Sequence, residues 1–198
     1  ASLANKIRLA TILGTWQSTL TNFKYIRKSW KTNCEEERLL GVSLTGIFGN
    51  KLTSTNGPEL AKLLDELRLG AVAVNVAEAE KLGIPASVAI TCVKPSGTVS
   101  QLVDSASGIH PRHSDYYIRT VRADIKDPLA IFLKEKGVPC EVDVMNDSNL
   151  VFEFPQKAPT GSVLRKEWTA VEQLEHYLKF KKFWCEHNPS ITVYVREH

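Results

Sequence analysis

No stretch of this sequence holds the roughly eighteen consecutive apolar residues that a membrane-spanning helix needs, and its first residues lack the basic-then-apolar layout of a secretory signal. A soluble protein is expected. The four cysteines, Cys34, Cys92, Cys140 and Cys185, are far apart and form no C-x-x-C pair. That spacing argues against a zinc cluster and against a secreted disulfide framework, and fits a reducing, cytoplasmic setting. Charge of neither sign is concentrated: 25 basic residues are scattered among 22 acidic ones, for a net charge of +3. Nucleic-acid binding calls for a more concentrated basic field. Internal repeats and low-complexity tracts are missing as well. What remains is an ordinary globular composition, 43% hydrophobic over 198 residues, suited to one domain or a large piece of one.

The most informative stretch is Thr91-Cys92-Val93-Lys94-Pro95-Ser96-Gly97-Thr98-Val99-Ser100, followed by Ser107-Gly108-Ile109-His110-Pro111. Val88 to Val93 has the length and β-branched content of a strand buried on both faces. Pro95 ends it, and Ser96-Gly97-Thr98 then suits a short helix or tight turn whose leading amides are unpaired. Gly97 lets a ligand approach the main chain, and Ser96, Thr98 and Ser100 add hydroxyls, so a phosphate is one reading. A capped helix with no ligand is the other.

Upstream, Ser2 caps a helix expected to run to about Leu20, with Leu3, Ile7, Ala10, Leu13, Gly14, Trp16 and Leu20 on its apolar stripe. Lys24 to Lys31 interleaves basic residues with Tyr25 and Trp30, and is read as a solvated face with its aromatic anchors packed beneath, rather than a nucleic-acid site. Cys34 to Leu40 reads as a short helix with Glu35, Glu36 and Glu37 in its first turn. Val42 to Phe48 reads as a strand, and Pro58 opens a long helix carrying Leu60, Leu63, Leu64, Leu67, Val74 and Ala77 to about Leu82, where Gly83 and Pro85 stop it. Helix and strand alternating in this way is the signature of a parallel sheet covered by helices, with chemistry at strand C-terminal ends.

Past Arg122 the pattern changes. A helix is expected from Asp127-Pro128 to about Lys136, and a β-hairpin from Glu141–Met145 and Asn149–Phe154 around Asn146-Asp147-Ser148. Pro155 to Ser162 reads as a loop, Lys166 to His187 as an amphipathic helix, and Ile191 to Val195 as a closing strand. His110 and His113 are spaced like metal ligands on a helix, but Pro111 opposes the helix and no further ligand completes a shell, so no metal is expected. Arg112, Arg119 and Arg122 are read as solvated, with anion binding the alternative. Cys92, Cys140 and Cys185 are read as small core residues.

Lys94 to Ser100, Gly108-Ile109-His110-Pro111 and Tyr117-Ile118-Arg119, together with Gln17-Ser18-Thr19-Leu20-Thr21-Asn22-Phe23 and Glu36 to Gly46, resemble the catalytic barrel of adenosylcobalamin-dependent ribonucleoside-triphosphate reductases. The resemblance covers most of the chain. It implies an α/β fold, the second half of a ten-stranded α/β barrel with a β-hairpin insertion, and one domain piece over residues 1–198. It further implies that Ser96, Gly97, Thr98, Val99 and Ser100 hold the substrate's phosphates. Adenosylcobalamin would be the cofactor, a ribonucleoside triphosphate the substrate, and the upstream half-barrel and a thioredoxin-type reductant the partners of the whole enzyme. In that family the radical cysteine and a glutamate lie in an Asn-Pro-Cys-Gly-Glu stretch. This sequence has none, so the chain is expected to be a piece of a longer enzyme, inactive by itself and not expected to hold cobalamin alone. The rival reading is a non-catalytic phosphate- or nucleotide-binding module derived from the same barrel.

Overall fold

The computed structural model describes residues 2–195, the Thr98 side chain excepted. Its helices are α1 (Leu3–Gln17), α2 (Lys28–Glu37), α3 (Pro58–Leu82), α4 (Gly97–Leu102), α5 (Pro128–Glu135) and α6 (Ala170–Phe183). Its strands are β1 (Val42–Ser43), β2 (Thr91–Cys92), β3 (Tyr116–Asp124), β4 (Cys140–Asp143) and β5 (Asn146–Lys157). β1 and β2 pair in parallel, and β3-β5-β4 form a separate antiparallel sheet.

The parallel pair is short, but its ladder is regular. Leu40, Val42 and Leu44 donate in turn to the carbonyls of Ala89, Ile90 and Cys92. The strand expected to reach Phe48 stops here because the chain turns at Gly46 (φ +70) into one 3-10 turn, Ile47–Gly49. The strand expected over Val88 to Val93 is likewise confined to its centre. On β2's other side the Glu186 amide donates to the Thr91 carbonyl at 3.0 Å and the Glu186 carboxylate accepts the Ile90 and Thr91 amides at 2.6 and 2.8 Å, while the Trp184 indole donates at 2.7 Å to the Cys92 carbonyl that Leu44 also uses.

The core lies between this pair and α1, α3 and α6, around Ile7, Leu44, Phe48, Leu64, Val93, Phe180 and Trp184. α1 ends at Gln17 and buries a different stripe from the one expected: Ile7, Thr11 and Thr15 are inside, while Leu13, Trp16 and Leu20 are exposed. Threonine is tolerated there because each hydroxyl is used. Thr11 and Thr15 donate to the carbonyls one turn back, and Thr15 Oγ1 also accepts from Asn75, which is fully buried on α3. Asn75 in turn donates to Ser87 Oγ and accepts the Ser87 amide, which fixes the approach to β2. Changing Asn75 to Ala strands these groups, and urea denaturation is expected to show a loss of about 2 kcal/mol.

α2 begins six residues before the expected start, so Glu35, Glu36 and Glu37 occupy its last turn, where the helix dipole disfavours them. Tertiary partners compensate: Thr21 donates to Glu35 at 2.7 Å, and Arg38, left-handed at φ +47, donates to the Ser18 carbonyl at 2.7 Å. Tyr25 and Trp30 are largely exposed rather than packed beneath the basic face, since no element lies over them among the described residues.

In the antiparallel sheet, β3 is a full strand of nine residues that the sequence reading took only as a motif. The hairpin turn falls at Val144-Met145, where Asp143 accepts the Met145 amide, and not at Asn146-Asp147-Ser148. β5 continues through Pro155 to Lys157, into the expected loop. Proline is accommodated because β4 ends alongside Phe152–Glu153, so the missing N–H points to an unpaired side. Ala130 of α5 packs on Leu150 and Phe152 beneath this sheet. α6 starts at Ala170, set by a capping box between Thr169 and Glu172. Ile191–Val195 forms no strand, because Tyr194's amide and carbonyl are taken by the side chain of buried Gln173.

Candidate functional site

β1 and β2 run in the same direction, so their C-terminal ends lie side by side, and the residues that follow them meet. Thr45 Oγ1 and Ser96 Oγ are 2.5 Å apart, and both accept the Gly108 amide, at 2.9 and 3.2 Å. Thr45 donates to the Ala106 carbonyl at 3.1 Å, which leaves the Ser96 proton for Thr45. Three loops are thereby tied at one point. Gly108 makes the closure sterically feasible: its φ is +52, and a Cβ there would sit 2.8 Å from the Lys94 carbonyl oxygen.

From this knot α4 projects with Ser96 at its N-cap. The leading amides of Gly97 and Thr98 have no carbonyl of the same helix to reach. Gly97, at φ +47, is exposed, and a Cβ on it would meet nothing within 4 Å. The other expected site residues play different parts. Ser100 is fully buried; its hydroxyl donates to the Gly97 carbonyl at 2.8 Å and accepts from the Gln101 side chain at 3.3 Å, so it shapes the turn. The Val99 amide is used by the Ser96 carbonyl at 3.0 Å, while its side chain is exposed. The Thr98 side chain lies outside the described residues. Thr45 was missed by the sequence reading, because nothing local in Ser43-Leu44-Thr45 signals a partner fifty residues away.

The three arginines part company. Arg112, read as solvated, is 93% buried, since it is 7% exposed, and its guanidinium holds Asp104. Burial follows from its backbone, which pairs with Leu164 and accepts the Arg165 amide. Arg122 is on the surface, 2.7 Å from Asp143, whose carboxyl is held below its ordinary range by the Met145 amide and then by Arg122. Arg119 is half-buried on β3, opposite Phe154. The His110 ring faces the Ser107 carbonyl at 3.1 Å and the His113 ring faces Tyr117; no group of three or more metal-ligand side chains occurs among the described residues. Cys92 and Cys185 are buried, and burial raises both thiols, Cys185 to about 12, which disfavours the thiolate form. Cys140 and Cys34 are half-buried. A cavity of about 520 Å³ lies elsewhere, at the N-terminal end of β1, lined by residues including Phe23, Trp30, Arg38 and Gly41. No helix among the described residues is long and apolar enough to cross a membrane.

No family model matches the chain. Individual proteins do. A Lactobacillus acidophilus adenosylcobalamin-dependent ribonucleoside-triphosphate reductase is 29% identical over 192 residues, covering 80% of this chain and 25% of that protein. Its Lactobacillus gasseri counterpart is 31% identical over 186 residues with the same coverage. A Dictyostelium discoideum protein, named as a probable reductase of this kind, is 31% identical over 182 residues, 91% of this chain and 23% of its own length. In fold, the chain superposes with a TM-score of 0.78 on a crystal structure of a B12-dependent (class II) ribonucleotide reductase, at 23% identity, over 98% of this chain and 30% of that one. The chain thus spans about a quarter of the length of the curated relatives it matches. It is an α/β chain related in sequence, and matched in fold, to one segment of the adenosylcobalamin-dependent ribonucleoside-triphosphate reductases.

Proposed function

We propose that this chain is the part of an adenosylcobalamin-dependent ribonucleoside-triphosphate reductase that seats the phosphates of the substrate. β1 and β2 would be two strands of the second half of its ten-stranded barrel, and residues 1–198 one domain piece. The observation that carries the reading is the three-loop knot at the strands' C-terminal ends, from which the exposed turn at Gly97 projects. Phosphate oxygens would accept the Gly97 and Thr98 amides, and the missing Cβ at Gly97 leaves them room. Ser96 would exchange its bond to Thr45 for one to the ligand, while Val99 and Ser100 act through the turn they hold together.

Adenosylcobalamin would supply the radical that starts reduction in the whole enzyme. The described residues around the cavity of about 520 Å³ suit a ligand of ordinary drug size, and a corrin is much larger. Cobalamin, the upstream half-barrel and a thioredoxin-type reductant therefore belong to the complete reductase, and none of the four cysteines here lies in an Asn-Pro-Cys-Gly-Glu stretch. The chain's own contribution is substrate binding.

Calorimetric titration with a ribonucleoside triphosphate tests this. Changing Ser96 and Thr98 together to alanine is expected to weaken binding about tenfold, and Gly97→Ala, whose methyl enters the open space over the turn, more than that. Equal affinity in all three proteins would remove the turn from the binding site.

A further inference from the structure

The short segment from Gly108 to Arg112 grips α4 at both of its ends. At the N-terminal end, the Gly108 amide bonds Ser96. At the C-terminal end, just beyond the cap residue Val103, Arg112 Nη2 donates to the Asp104 carbonyl at 2.6 Å and to its Oδ1 at 2.9 Å. Asp104 is left-handed at φ +46, a conformation that costs a side-chain-bearing residue energy and persists only where the surroundings impose it. The guanidinium is buried, receives further support from Tyr117 Oη at 3.2 Å, and leaves its Nε without a partner. A buried cation with an unpaired N–H, gripping a strained residue, is a poor device for stability alone. Its carbonyl is meanwhile fixed by the Arg165 amide at 2.9 Å, so the grip is anchored outside the turn that it controls.

We propose that Arg112 is the positioning residue of the phosphate turn: through Asp104 it sets the tilt of α4, and hence the aim of the Gly97 and Thr98 amides. This rests on the reading of that turn as the phosphate site. Arg112 does not touch the ligand. With the guanidinium gone, α4 stays tied at Ser96 but swings at its far end, and the triphosphate loses aligned donors while a nucleoside without phosphates loses nothing.

The test uses the full chain and four variants of it, titrated with a ribonucleoside triphosphate and with inorganic tripolyphosphate, beside amide hydrogen exchange across residues 97–102. Arg112→Met and Arg112→Lys are expected to weaken both ligands about tenfold, since lysine is shorter and lacks the second nitrogen that reaches Tyr117 while Nη2 holds Asp104. Asp104→Asn keeps both acceptors and should bind as the parent does. Asp104→Gly relieves the backbone and should hold or raise the unfolding midpoint, yet bind several-fold more weakly. A purely structural role predicts the opposite pairing, with binding following stability. Parental affinity in both Arg112→Met and Asp104→Gly would overturn the proposal. If the parent itself binds neither ligand, the phosphate reading fails, and the exchange data then decide the clamp: faster exchange in α4 of Arg112→Met upholds it, unchanged exchange refutes it.

Discussion

Gly108→Ala is expected to lower the unfolding free energy by about 3 kcal/mol and to abolish triphosphate binding together with it. Two costs add. The left-handed backbone at φ +52 costs a residue with a Cβ roughly 1–2 kcal/mol. The new methyl would also stand 2.8 Å from the Lys94 carbonyl oxygen and 3.6 Å from Pro95 Cα. Both are backbone atoms, so no side chain can swing aside, and forcing the strands apart costs about another 1–3 kcal/mol. The displaced element is the one whose amide joins Thr45 to Ser96. Urea denaturation gives the first quantity and calorimetry the second. A variant with parental stability would show that the segment after Gly108 is looser than its hydrogen bonds imply.

The second large effect is on acid stability. His176 is fully buried on α6 against Phe48, Trp168 and Phe180, with ring centroids 4.8, 5.1 and 5.0 Å away. Its Nε2 donates to the Thr53 carbonyl at 2.7 Å, and Nδ1 has no partner. Burial lowers its pKa to about 4 from 6.5, with Lys179 contributing in the same direction and the Thr53 bond opposing. The unfolded chain therefore takes up a proton near pH 6.5 that the folded chain refuses until about pH 4. Stability is complete above pH 6.5 and falls through that window, by about 3 kcal/mol in all. The carboxyls of Glu78 and Asp143, also held low, begin to lose their contributions only below their ordinary values of 4.5 and 3.8. Thermal unfolding between pH 7 and 4.5 thus isolates the histidine, and His176→Gln, which keeps a donor for Thr53, is expected to flatten the profile. A parental slope in that variant would assign the acid sensitivity to other groups.

The sequence by itself determined the elements whose signals are local. α3 runs from Pro58 to Leu82 as the proline and the following glycine dictate, because a fixed φ at the start and a left-handed Gly83 at the end need no distant partner. The same holds for α5 between Asp127 and Gly137. The turn after Pro95 was legible too, as was the relation to the reductases, since both reside in contiguous residues. Tertiary structure decided the rest. It put Thr11, Thr15 and Asn75 into the core where only apolar residues were expected, because mutual hydrogen bonds remove the cost of burying them. It turned Ser100 inward and brought in Thr45, and it buried Arg112 on Asp104. Each of these outcomes depends on a partner in another loop or element, and sequence spacing carries no information about which polar groups the fold will bring within 3 Å of one another.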